Sequence, residues 1–263
     1  MSNNIFSRKR FLLLFKQHFI HNAQFLWLST GAYIGVIFIV LSIAQMGNNL
    51  RPHELDSFQG FLVGFVTVFG ILYVGHSFPA FRSKESTIGF LMMPASALEK
   101  FLFELVIRIG LVLVALPLLY WVVFQLQGYF FTIFTGEAFE PIGVQYLVKL
   151  GERPVEHMFL IYSFITGGVL LALSLAFTGS AMFTKQPLVK SLFAVAMVVM
   201  FFVGYSYIVL EHLGVGRYNP PEDTMLLAPS GEKSALRAVT IAFFTGTVVM
   251  LFVAFRKLKE REV

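Results

Sequence analysis

Glu104 and Arg108 stand four residues apart in a stretch that is otherwise apolar from Phe101 to Phe124, and Lys100 extends the same stripe. On a helix this spacing sets carboxylate beside guanidinium, in the Glu-before-Arg order that helical ion pairs favour. Ionisable groups inside an apolar span are costly to bury and so are functional candidates. Two readings are open: an internal ion pair near a membrane boundary, eased by snorkelling, or a gate or substrate contact. The spacing favours the first. His76, near the end of another apolar stretch, reads as an interfacial histidine, with proton carriage as the other possibility. His18 and His21 could share a helix face as metal ligands, but no carboxylate or third imidazole lies near them in sequence, so no metal site is expected.

Other chemistry is excluded by residue type. The chain has no cysteine, hence no disulfide, thiolate metal site or cysteine nucleophile. Neither a zinc-helix H-E-x-x-H nor a G-x-S-x-G nucleophile elbow occurs. The nearest imitation of a phosphate loop, Gly231 to Ser234, lacks its first glycine and puts Glu232 where backbone N–H groups must cradle phosphate. The chain is therefore expected to be no enzyme by itself and to hold no cofactor.

These residues must be positioned by membrane helices. Of 263 residues, 57% are hydrophobic and 13% charged, against roughly 45–50% and about 25% in soluble domains. Such a chain suits lipid, and its 31 Phe suit a lipid-facing surface. The net charge of +5 would suggest nucleic acid in a soluble protein, but here the placement of Lys and Arg between spans is what informs, and no nucleic-acid partner is expected. Six apolar segments have spanning length: Phe25 to Met46, Phe58 to Phe78, Phe101 to Phe124, Met158 to Ala181, Leu188 to Leu210 and Leu236 to Phe255. The expected fold is an all-α polytopic membrane protein, residues 1–263 forming a single transmembrane domain. With six spans both termini share a side, and that side carries thirteen Lys and Arg, including Arg8, Lys9, Arg10, Lys16, Arg82 and Lys84. The opposite side carries six, among ten acids, so the basic side should be cytoplasmic. Arg8 to Arg10 before an apolar run imitate a signal peptide, but Lys16, His18 and His21 interrupt the run and no small-residue cleavage pattern follows, so the segment is expected to be retained.

Residues 11–23 alternate Phe11, Leu12, Phe15 and Phe19 with Lys16, Gln17 and His18, which predicts an amphipathic helix in the membrane interface. A plain extension of the first span is the alternative. Small residues spaced by four, Gly31 and Gly35, Gly60 and Gly64, Gly168 to Ser180, and Ala238, Ala242 and Gly246, predict close helix packing. The aromatic run Gly128 to Thr135 is too short to span and is expected in the outer interface or folded back on the bundle.

The loop from Pro79 to Lys100 is too apolar for an idle connector. Ile88, Phe90, Leu91, Met92 and Met93 make a short hydrophobic piece that Pro94 ends, and Ser96 to Glu99 has the S-x-x-E form of a capping box before the next apolar run. Held at the membrane surface by two long helices, this piece could be a socket for a soluble partner; equally, it could dip its Met and Phe into the headgroups.

The stretch from Phe90 to Phe101, FLMMPASALEKF, resembles the LLPxSxxEKF segment after the second span of type-2 ABC transporter permeases. The layout is similar as well. The resemblance implies an N-terminal elbow helix at 11–23, six spans, cytosolic termini in a bacterial inner membrane, and a coupling helix that contacts a separate ATPase subunit. It would place the partner contacts at Arg82, Lys84, Ile88, Phe90, Leu91, Met92, Met93 and Glu99. ATP and Mg would be bound by that partner, and two permease chains, alike or different, would work as a dimer. Apolar, Phe-rich walls favour a lipid-like or hydrophobic cargo for such an exporter. Many exporters of the family elaborate the outer loop between the last two spans, whereas here the longest outer segment, Gln125 to His157, follows the third. A non-transporting subunit that anchors a larger membrane complex is the alternative expectation.

Overall fold

The computed structural model describes residues 7–47, 55–82, 87–89, 92, 95–135, 139–147, 158–183, 185–211 and 232–262. Among them helices dominate and no strand occurs. The long helices are α1 (Arg8–Gly47), α2 (Leu55–Val74), α3 (Ala97–Leu105), α4 (Leu111–Thr135), α5 (Met158–Met182), α6 (Pro187–Glu211) and α7 (Glu232–Glu262). A π-helical turn, Val106–Gly110, joins α3 to α4, so the two form a single rod.

Four helical stretches are long and apolar enough to cross a membrane: Asn22–Gly47, Ala97–Ile133, Met158–Met182 and Leu236–Arg261. This is an integral membrane protein. Two shorter apolar stretches, Phe58–Val74 and Pro187–Met197, lie in α2 and α6.

Two sequence expectations change. The separate elbow over 11–23 is absent, because α1 runs unbroken for 40 residues, roughly 60 Å at 1.5 Å per residue. Its first glycine is Gly31 and it contains no proline, so nothing interrupts the ladder where an elbow would bend. The run Gly128 to Thr135 is likewise no separate interfacial piece but the last two turns of α4. Residues after it fold back on the rod. The ring of Phe139 lies where a side chain at Gly128 would sit, 2.5 Å from an ideal Cβ, and Trp121 Nε1 donates to the Ile142 carbonyl at 2.7 Å.

Two cores hold the helices. One joins α2, α3, α5 and α7 around Phe78, Phe101, Phe177, Leu173, Ala254 and Leu258. The other joins α1, α2 and α4 around Tyr33, Ile37, Phe58, Leu62, Tyr120 and Phe124. Buried hydroxyls and amides tie this second core: Tyr120 donates to the Phe58 carbonyl at 3.0 Å, and Gln127 Nε2 to Gln45 Oε1 at 2.6 Å. In lipid such polar ties replace the water that would otherwise satisfy them.

The small-residue stripes divide. Gly167 and Gly168 on α5 press on Phe243, and Gly246 on α7 would place a Cβ 3.0 Å from Leu171, so the fourth and sixth apolar segments do pack through glycine. An added Cβ at Gly31, Gly35, Gly60 or Gly64 would meet nothing within 4 Å. Among the described residues no helix approaches those four glycines closely, contrary to expectation, because α1 and α2 turn their aromatic faces inward instead: Tyr33 meets Phe69 edge to face at 4.9 Å.

Candidate functional site

Both described ends of the chain gather at one end of the bundle with the start of α3. Ser96 caps α3: its Oγ accepts from the Glu99 N–H at 3.2 Å while the Ser96 N–H donates to Glu99 Oε2 at 2.9 Å, the reciprocal capping box expected from the sequence. The other carboxylate oxygen of Glu99 reaches back across 92 residues. It accepts from the Ser7 N–H at 2.5 Å and from Arg10 Nη2 at 3.1 Å. One carboxylate thus caps α3 and clasps the start of α1.

Glu99 is consequently 0% exposed, with both oxygens used inside the chain. Within the chain its carboxylate is spent on this clasp, which positions α1 against α3. Ile88 and Met92, by contrast, are 55% and 79% exposed, Ile88 in a helical turn over 87–89. The backbone of Arg82 closes the 3-10 turn Pro79–Arg82. The side chain of Arg82, and Lys84, Phe90, Leu91 and Met93 as whole residues, lie outside the described residues.

The last turns of α7 support the start of the same loop. The Arg261 guanidinium carbon sits 4.8 Å from the centroid of the Phe81 ring, and its Nη2 donates to the Met182 carbonyl at 3.0 Å. Behind it Phe101 meets Phe255 edge to face at 5.3 Å and Phe177 at 5.8 Å. The loop that leaves α2 is therefore braced by α7 at its start and by the Glu99 clasp to α1 at its end.

Glu104 and Arg108 form the expected pair, Nε to Oε2 at 3.4 Å, and both are buried. The Phe78 N–H also donates to Glu104, and the Arg108 guanidinium stacks on Tyr73 at 4.8 Å. Phe78 has φ of 52°, a left-handed conformation rare for a bulky residue, and it turns the chain out of α2. The pair thus holds the exit of α2 against α3. Arg108 lies within the π-helical turn, a local widening that often marks functional sites.

His18 meets this cluster from α1, its ring 5.5 Å from that of Phe103. Burial, then the Arg108 charge, pushes the His18 pKa down to about 4, so the ring is neutral near pH 7 and its Nδ1 bonds the Asn22 amide at 3.2 Å. The side chain of His21 lies outside the described residues, and among those described no group of three metal-ligating side chains occurs. His76 stands just past the end of α2, exposed, with Nδ1 against the Leu72 carbonyl at 2.9 Å.

Sequence reasoning missed Ser7, Arg10 and Arg261, whose partners Glu99, Met182 and Phe81 are all remote in sequence, and it missed Tyr73. No local spacing marks such contacts. Family models, curated proteins and solved structures contain nothing that matches the chain.

Proposed function

We propose that this chain is the six-span permease subunit of an ATP-driven exporter that moves a lipid-like or hydrophobic cargo. A separate ATPase subunit docks on the element around Ile88 and Met92. The observation that carries the reading is that exposed apolar element, tethered at both ends to buried structure: to α7 through Phe81 and Arg261, and to α1 through Glu99. A rod set on such a brace passes a push on the loop to α2, α3 and α1 together. In this reading α2 and α6 complete six crossings, both termini face the cytoplasm of a bacterial cell, residues 11–23 of α1 serve as the elbow without a bend, and two chains pair. The Glu104 and Arg108 pair holds the moving parts in register and does not contact cargo.

The test is purification of the tagged chain from its native membrane in mild detergent, with mass spectrometry of what remains bound. A soluble ATPase in near-equal amount, lost in Met92→Asp and Ile88→Asp while the chain still elutes as a folded species, is the expected result. A complex free of ATPase, holding other membrane proteins and indifferent to both changes, would replace this reading with the anchoring subunit.

A further inference from the structure

A cavity of about 310 Å³ opens between α1, α2 and α4, a size at the low end of small-molecule sites. Its mouth is bounded by Phe25, Leu72 and His76, all exposed, so it opens between α1 and α2. From Phe25 to Tyr33 it follows α1 for eight residues, about 12 Å. Its character changes along that path. The inner half is Phe69, Leu116, Leu119 and Tyr33, whose hydroxyl is already committed to the Leu116 carbonyl at 3.0 Å. The polar lining includes His76 at the end nearer the loop, and Ser29 and Thr30 about midway along α1.

The two hydroxyls are out of keeping with their setting. Hydroxyls in membrane helices ordinarily bond the carbonyl one turn back, which keeps them from facing lipid unpaired. Ser42, Thr67, Thr240 and Thr247 do so at 2.7–2.9 Å. Ser29 and Thr30, adjacent on the cavity wall, have no such bond among the described residues. The His76 Nδ1 is held by a carbonyl and must carry its proton there, which leaves Nε2 for a ligand. Two free donors and a ring nitrogen therefore line an otherwise largely apolar slot.

We propose that this cavity binds one acyl chain of an amphiphile whose head presents oxygen acceptors, a carboxylate or an ester, to Ser29 and Thr30. The chain end lies on Phe69 and Leu119. This site needs only the membrane placement of the helices and is independent of ATP-driven transport.

The full chain is placed in phosphatidylcholine nanodiscs with a trace of diazirine-bearing palmitic acid or, separately, diazirine-bearing phosphatidylglycerol, irradiated, and mapped by peptide mass spectrometry. Labelling should concentrate on Leu26, Leu72 and Ala115, saturate, and be competed by the unlabelled compound. It should disappear in Ala115→Phe, which fills the slot, and weaken about fivefold in the double change Ser29→Ala and Thr30→Ala, which removes hydrogen bonds but little volume. Labelling by the acid alone identifies a free fatty acid as ligand, and labelling by the phospholipid identifies a bilayer lipid; each supports the site. Labelling spread equally over the outward-facing Phe159 and Val248, uncompeted and unchanged in the Ser29 and Thr30 variant, overturns it as ordinary annular lipid. Loss of ATPase association in the preceding experiment would leave this result untouched.

Discussion

At the scale of single residues, the strongest constraint is the buried Glu104 and Arg108 pair. Each charge is tolerable because the other is there: the carboxylate has the guanidinium and the Phe78 N–H, and the guanidinium has the carboxylate and the Tyr73 ring. Removing one partner strands the other, at a cost on the order of 3–5 kcal/mol, whereas replacing both with apolar side chains is often nearly neutral. Glu104→Leu or Arg108→Leu alone should therefore lower the melting temperature in detergent sharply, and the double Leu variant should recover most of the loss. Recovery of fold with loss of transport would return the pair to the role of gate. The pair itself was legible in the sequence, since spacing of four on a helix is a local rule. Its fastening to Phe78 and Tyr73 was not, because contacts between helices depend on how the rods are set side by side, which no local pattern encodes. The same division holds for Glu99: its capping box with Ser96 was plain, its grip on Arg10 invisible.

At the scale of the elements, α5 and α7 show what the small residues do. Lipid gives no hydrophobic reward for association, so helices gain by close van der Waals approach. Gly167 would carry its Cβ 3.3 Å from both Phe243 and Phe244, and Gly179 leaves no room at all beside Ser191 of α6. Gly167→Leu and Gly179→Leu should each destabilise the fold by at least the 1–3 kcal/mol typical of overpacking, read as earlier thermal aggregation in detergent. Gly31→Leu and Gly60→Leu face open space and should leave the melting profile of the single chain unchanged. Four stripes of equal sequence quality thus have unequal roles. Spacing by four reports that a face is smooth, and only the neighbours decide whether the smoothness is used. The continuity of α1 was more accessible than the elbow expectation allowed, because the absence of Gly and Pro before Gly31 already argued against a bend. The amphipathic pattern of 11–23 is genuine, but it describes which face is wet, not where a helix stops. The π-helical turn at Val106 to Gly110 has no comparable signal in its residues beyond the closing glycine.

At the scale of the whole molecule, the orientation proposed above, with both termini cytoplasmic, is open to a direct test. Arg261 on α7, Arg10 on α1 and the loop around Phe81 meet at one end, and the residues beyond α4 that fold over Trp121 lie at the other. Under the proposed orientation the first end is the cytoplasmic one, the side on which Lys and Arg concentrate in membrane proteins. Because the chain has no cysteine, a single introduced thiol reports its own side without background. Lys259→Cys and Ile88→Cys should resist a membrane-impermeant maleimide in intact cells and react once the membrane is opened, while Gln145→Cys, exposed beyond α4, should react from outside at once. Each position is solvent-facing and off both cores, so the substitutions should cost less than about 0.5 kcal/mol. Labelling of all three from one side would mean that the rods do not cross the bilayer in the order six spans require. An inverted pattern would put the loop at Ile88 and Met92 outside, where no ATP-driven partner could reach it, and the permease reading would fall with it.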